Sequence, residues 1–215
     1  MIVDERTITY IYSLEQGDSK ILSVIAKEAA ASFVPIIRKE TASFLRTLVV
    51  MKQPKRILEV GTATGYSALF MSMGMPEGCT ITTIEKYEKR IPIARENFKR
   101  AGKESVITLL EGDAADILKT LDAPYDFIFM DAAKGQYIHF LPEVLRLLPV
   151  GGVLVSDNVL QDGDIIESRF AVARRDRTIH ARMREYLYTI KHMDCLQTAV
   201  VPIGDGVTVS VKIKE

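Results

Sequence analysis

The 215-residue sequence predicts an α/β fold: a parallel sheet covered by helices on both faces, capped by N-terminal helices and finished by an antiparallel pair of strands. Three observations carry this. The first 55 residues show apolar spacing near 3.6, as amphipathic helices do. From Ile57 onward, short apolar runs alternate with helical stretches. Near the end, Gly204-Asp205-Gly206 separates two alternating runs, a hairpin signal.

The elements follow in order. Helices are expected over 3–14, 19–31 and 41–52, with Ser19 and Thr41 as candidate caps for the second and third. Pro35 separates two of them and Pro54 ends the last. Strands are expected at 57–60, 80–84, 106–110, 127–130 and 153–155, with helices at 67–73, 87–101, 115–120 and 136–148 between them. Pro149-Val150-Gly151-Gly152 reads as the turn into the fifth strand. A basic helix is expected over 165–193, then strands over 196–202 and 207–213. No repeat or linker interrupts the chain. Its length is about 1.4 typical domains of ~150 residues, so one domain is expected, a helical cap (1–55) on a core (56–215).

Composition excludes several classes. Hydrophobic residues make up 47% and charged residues 26%, which is incompatible with disorder or a collagen-like chain. The 28 basic and 28 acidic side chains cancel, so any nucleic-acid affinity must come from a local patch. Cys79 and Cys195 form neither a disulfide framework nor a metal motif, which suits a reducing compartment. No apolar run approaches the ~18 residues of a membrane helix, and residues 1–10 carry no export signal, so a cytoplasmic location is expected.

Ligands in open α/β sheets bind at the carboxyl ends of the strands. Gly61 and Gly65 follow the first strand in Gly-x-x-x-Gly spacing, which allows either a tight turn or close approach to a ligand; it is not the dinucleotide spacing Gly-x-Gly-x-x-Gly. Glu85 ends the second strand, 24 residues beyond Gly61, where a carboxylate can accept both ribose hydroxyls of a nucleoside. Asp113 follows the third strand, beside an adenine or as the N-cap of the next helix. Asp131, Asp157 and Asn158 close the fourth and fifth strands. Three oxygen donors there suit a hard divalent cation, Mg²⁺ before Ca²⁺ or Mn²⁺, with positions left for other oxygens. Lys134, three residues beyond Asp131, is the candidate general base.

Together these motifs resemble the class I S-adenosylmethionine-dependent methyltransferases, and within them the cation-dependent O-methyltransferases of catechol and caffeoyl-CoA. The likeness spans roughly residues 35–215 and rests on Leu58-Glu59-Val60-Gly61 with Gly65-Tyr66-Ser67, Thr83-Ile84-Glu85, Gly112-Asp113-Ala114, the stretch 126–137, and Ser156-Asp157-Asn158-Val159-Leu160. The resemblance implies a Rossmann-like fold with a seven-stranded, mostly parallel sheet. It implies that Gly61, Ala63 and Ser67 line the methionine end of the cofactor, that Glu85 holds the ribose, and that Asp113 and Ala114 border the adenine. It gives Asp131 a place at the cofactor amino group and, with Asp157 and Asn158, on the metal. Lys134 matches the family's catalytic lysine. Ile37 or Arg38 is expected to touch the cofactor. Gln161 stands where many relatives carry an aromatic residue.

The acceptor must then present two adjacent oxygens, as a catechol does and as 5-hydroxyuridine does. Residues 169–184 hold six arginines (169, 174, 175, 177, 182, 184) against Asp176 alone, a patch that fits a phosphate backbone, a solvated helix face or a dimer contact. The whole chain is also similar to the bacterial tRNA 5-hydroxyuridine methyltransferases, which act at the wobble position. That likeness implies tRNA as partner, with Arg174, Arg175 and Arg177 as candidate contacts. A small catechol-like acceptor is the alternative, and a non-catalytic nucleoside-binding regulator the alternative of another class. A homodimer without membrane association is expected.

Overall fold

A computed structural model describes residues 3–15, 19–122 and 124–215. Helix α1 (Glu5–Leu14) is capped by Asp4, whose carboxylate accepts the amides of Arg6 and Thr7. Helix α2 (Lys20–Ala31) is capped by Ser19 as expected. Helix α3 (Lys39–Lys52) begins two residues earlier than the sequence suggests. Thr41 is therefore not its cap: it lies inside the first turn, buried against Gly204.

The alternating region then runs β1 (Arg56–Val60), α4 (Tyr66–Ser72), β2 (Thr80–Glu85), α5 (Ile91–Arg100), β3 (Ile107–Glu111), α6 (Ala114–Thr120), β4 (Phe127–Met130), α7 (Tyr137–Leu147) and β5 (Val153–Ser156). Helix α5 starts four residues late because Tyr87–Arg90 close a turn and Pro92 suits only a helix's first turn. The chain ends with α8 (Arg177–His192), β6 (Leu196–Val201) and β7 (Val207–Lys212).

The basic helix expected over 165–193 is half that long. Gln161–Ile166 forms 3₁₀ turns around the left-handed residues Asp162 and Gly163, and regular helix begins only at Arg177. The reason lies in the pattern. From His180 the buried residues recur as His180, Met183, Tyr186 and Ile190, a helical stripe, whereas 167–176 buries only Val172. Carbonyls of that stretch and of the turn before it are taken by arginines instead of helical amides: Arg177 donates to Val172 O and Phe170 O, and Arg184 to Ile165 O.

One seven-stranded sheet has the order β3-β2-β1-β4-β5-β7-β6. Strands β1 to β5 pair in parallel; β7 pairs antiparallel with β5 and with β6. Neighbouring residues of one strand serve opposite faces: Ile57 packs with Leu45, Phe127 and Phe129, and Leu58 with Ile128, Val144 and Tyr186. Both faces are dry, so the strands read as continuous apolar runs rather than alternating ones. Burying each such side chain contributes about 1.5–3 kcal/mol. Among the described residues, no helix is long and apolar enough to cross a membrane. Both cysteines are free.

The order of the strands reverses at β1: β2 and β3 lie on one side, and β4 and β5 follow on the other. That switch point opens a crevice at the strands' carboxyl ends.

Candidate active site

The crevice is a cleft of about 1250 Å³. Its lining brings together Ile37, Arg38, Gly61, Ala63, Glu85, Asp113, Ala114, Asp131, Lys134, Asp157 and Asn158, residues that span more than 120 positions of sequence. Ser67 is the exception among the residues expected at the cofactor: it is buried in the first turn of α4, behind the glycine turn.

The turn after β1 is shaped by close packing. Gly61 has φ +105°, and a Cβ there would sit on the Asp131 carbonyl group, 2.8 Å from its carbon. Only glycine lets β1 and β4 end side by side in this way. The amides of Gly61 and Thr62 both donate to Ile84 O, tying the turn to β2. Gly65, also left-handed, faces the Phe98 ring, and Asn97 donates to Thr64 O.

Glu85 is held from three directions. One carboxylate oxygen accepts Ala63 N at 2.8 Å; the other accepts Lys86 N at 3.0 Å and Tyr87 N at 2.8 Å. Asp113 does cap α6, accepting Ala115 N at 2.9 Å, and its second oxygen meets Lys86 Nζ at 3.3 Å. The cap bond above all, and then Lys86, keeps its carboxyl below the usual range. The same side chain lines the cleft, so capping and bordering the cleft are compatible.

At the ends of β4 and β5 stand Asp131 and Asp157. Asn158, left-handed at φ +62°, donates its side-chain amide to Asp131 Oδ1 at 3.0 Å, and its backbone amide meets Asp157 Oδ1 at 2.7 Å. Burial pushes both carboxyls upward; the Asp131 charge raises Asp157 further, Asp205 raises both, and Lys134 acts in the opposite sense on both. Lys134 opens a 3₁₀ turn (Lys134–Gln136) at the cleft wall. Beneath them, the buried Tyr137 hydroxyl lies 3.0 Å from Met130 O and 3.1 Å from Asp157 O, fastening the two strand ends together. Among the described residues, no three His, Cys, Asp or Glu side chains converge as a metal cluster; the set here is two carboxylates and an amide.

Three residues were not singled out from the sequence. Tyr137 reads from the sequence as core packing, with contact to the acceptor as the alternative. Asp205 sits in Gly204-Asp205-Gly206, which reads as a turn, yet it lines the cleft. Glu59, within β1, is wholly buried and accepts a short hydrogen bond from Thr83, whose hydroxyl also meets Thr62. Burial pushes the Glu59 carboxyl up to about 8 from an ordinary 4.5. Between those values the folded chain keeps a proton that the unfolded chain has lost, so this group's contribution falls as pH rises through the window. Glu59→Gln is therefore expected to flatten the pH dependence. Urea unfolding of both proteins at pH 5 and pH 8 should shift the difference toward the variant by about 2–4 kcal/mol. An unchanged difference would place the Glu59 titration elsewhere.

The arginine-rich stretch lies outside the cleft lining. Arg169, Arg174 and Arg175 are exposed, and Arg175 pairs with Asp176 at 3.4 Å. Arg177, Arg182 and Arg184 instead bond loop carbonyls, Arg182 reaching Gly135 O at 3.2 Å. The patch thus offers fewer unengaged cations than the sequence suggests.

This strand order, with a glycine turn after β1 and an acid closing β2, defines the class I S-adenosylmethionine-dependent methyltransferase fold. The chain belongs to the O-methyltransferase family, whose model matches residues 13–213, and within it to the catechol- and caffeoyl-CoA-type enzymes. It is 34% identical over 164 residues to a catechol O-methyltransferase of Niastella koreensis, covering 74% of each chain. It is 31% identical over 171 residues to a caffeoyl-CoA O-methyltransferase of Populus kitakamiensis, covering 77% of this chain and 73% of that one. An O-methyltransferase from Bacillus cereus, solved in complex with SAH, superposes with a TM-score of 0.86 at 26% identity, over 96% of this chain and 97% of the other. The chain is an S-adenosylmethionine-dependent O-methyltransferase.

Proposed function

We propose that this enzyme methylates one of two vicinal oxygens on a small, catechol-like acceptor, with a hard divalent cation held by Asp131, Asp157 and Asn158. The observation that carries this reading is the pair of carboxylates at adjoining strand ends, linked through Asn158, with Lys134 beside them and Glu85 in the same cleft. Two carboxylates short of positive charge, joined by an amide oxygen, fit Mg²⁺ and leave room for acceptor oxygens.

S-adenosylmethionine supplies an electrophilic methyl group, and a bound cation supplies stabilisation of negative charge on an acceptor oxygen. The residues of the chain do the rest. Glu85, already oriented by three amides, accepts the ribose hydroxyls. Gly61 and Ala63 admit the methionine end, with Ser67 supporting the turn from behind. Asp113 and Ala114 border the adenine. Ile37 and the backbone of Arg38 close the cofactor's side. Asp131 serves both the cofactor amino group and the cation. Lys134, as the neutral amine, would take the proton of the acceptor hydroxyl, and the oxyanion would bond to the methyl carbon as its bond to the sulfonium sulfur breaks, leaving S-adenosylhomocysteine. Much of the rate comes from holding the reacting atoms in line. The whole chain acts as one domain, the helical cap of residues 1–55 on the core. A cytoplasmic homodimer belongs to the same proposal: both cysteines are free, and Phe33, Ile166 and Phe170 offer exposed apolar contact surface.

A second reading has tRNA carrying 5-hydroxyuridine as acceptor, supported by the exposure of Arg169, Arg174 and Arg175. The engagement of Arg177, Arg182 and Arg184 with loop carbonyls favours the small acceptor.

The test is methyl transfer from labelled S-adenosylmethionine to a free catechol and to tRNA bearing 5-hydroxyuridine, each with Mg²⁺ or EDTA. EDTA-sensitive labelling of the catechol is expected, unaffected by neutralising Arg174 and Arg175. Labelling of the tRNA alone, lost in those variants, would replace the acceptor assignment. Labelling indifferent to EDTA would remove the cation.

A further inference from the structure

Arg38 precedes α3 and lines the cleft, and its guanidinium is taken up by two carboxylates. It pairs with Asp162 Oδ1 at 2.9 Å and Asp205 Oδ1 at 2.5 Å. Three distant segments meet there: the helical cap, the loop after β5 and the β6–β7 turn. Asp162 lies 124 residues from Arg38.

The turn itself is wedged tightly. Gly204 has φ +56°, and a Cβ there would overlap the Thr41 hydroxyl. Gly206 has φ +85°, and a Cβ would overlap Leu160. Backbone bonds complete the joint: Val159 N donates to Gly206 O and Leu160 N to Asp205 O, both at 2.9 Å. Val159 immediately follows Asn158, whose own backbone is left-handed. The β6–β7 turn is thus a bracket for the end of β5, and Arg38 holds the bracket by its only charged side chain.

We propose that Arg38 is a positioning residue that fixes Asp157 and Asn158 by clamping Asp205 and Asp162. The proposal rests on the reading of Asp157 and Asn158 as active-site residues. Without Arg38, the Asp162 and Asp205 carboxyls, which also hydrogen-bond to each other, lose the cation that ties them to α3, and the bracket loosens at Val159 and Leu160. Gly61 and Glu85, on the other side of the cleft, share none of these bonds.

The experiment compares Arg38→Ala, Arg38→Lys and Asp205→Asn in the full chain. It measures backbone amide exchange at Val159 and Leu160, affinity for S-adenosylmethionine, and kcat/KM for a catechol. In Arg38→Ala, exchange at both amides should accelerate about tenfold or more, and kcat/KM for the acceptor should fall about tenfold or more. Cofactor affinity should fall much less than kcat/KM, since only the Arg38 backbone borders the cofactor. Arg38→Lys should recover part of both effects, since lysine still pairs with one carboxylate. Asp205→Asn loosens the same amides without leaving like charges face to face, and it stands in if Arg38→Ala does not fold. Unchanged exchange in Arg38→Ala and Asp205→Asn would overturn the proposal. So would faster exchange with an unaltered kcat/KM, or a loss of cofactor affinity matching the loss of kcat/KM, which would assign the guanidinium to the cofactor. If the wild-type enzyme methylates no catechol, the acceptor reading fails, and the exchange and cofactor measurements still decide the clamp.

Discussion

Lys134→Ala is expected to lower kcat for methyl transfer by about 10²–10⁴, with cofactor affinity changed by no more than about twofold. The side chain stands on the cleft wall at the start of its 3₁₀ turn, next to the carboxylates whose charge it offsets. It shares no hydrogen bond with Glu85 or the glycine turn, so its loss leaves the cofactor end as it is. Lys134→Arg keeps the positive charge but holds its proton far more tightly, and it should be nearly as slow. Steady-state rates with saturating cofactor distinguish the two roles of the lysine. A fast arginine variant would show that the charge alone matters. An alanine variant with wild-type kcat would remove Lys134 from the chemistry altogether.

Gly61→Ala carries the second large effect, and it strikes folding as well as binding. A left-handed alanine costs roughly 1–2 kcal/mol by itself. Here the added methyl also meets the backbone of Asp131, which cannot rotate aside as a side chain would. A total loss of about 3 kcal/mol or more is expected, a large share of a typical stability of 5–15 kcal/mol. Cofactor binding should be lost in whatever fraction folds, because β1 and β4 must separate to admit the methyl. Gly78→Ala is the matched control: its φ is +80°, yet nothing lies within 4 Å of the new Cβ. It should show the conformational cost alone, about 1–2 kcal/mol. Urea unfolding of the two variants side by side measures the difference, and equal losses would mean that the Asp131 contact relaxes freely.

The sheet was legible because its strands are buried on both faces. Ile57-Leu58-Glu59-Val60 and Phe127-Ile128-Phe129-Met130 have no polar side toward water, and glycine or acid marks where each stops. The site was legible for a related reason: groups that act at strand ends must follow those runs directly, so Glu85, Asp113, Asp131 and Asp157 could be read in order. What escaped the sequence depends on contacts between distant segments. Asp205 looks like any turn residue until Arg38 is brought against it. Tyr137 looks like core until its hydroxyl is seen between Met130 O and Asp157 O. The arginines of 169–184 look like one charged patch, and only the fold shows that three of them hold loop carbonyls. The same carbonyl bonds explain the overlong helix expected there, since local apolar spacing does not register a loop fastened by side chains from the helix that follows it.

The position of β7 bears on how the enzyme is made. It is the last strand in chain order, yet it lies inside the sheet, between β5 and β6. As the chain leaves the ribosome, the first five strands can assemble in parallel, but β5 then keeps a bare edge of unpaired amides and carbonyls. Only when residues 207–212 emerge can that edge close, and the turn that brackets Asp157 and Asn158 arrives with them. The turn that brackets Asp157 and Asn158 is thus the later part of the cleft to form, and a nascent chain stalled before Val207 is expected to expose a template for aggregation along β5.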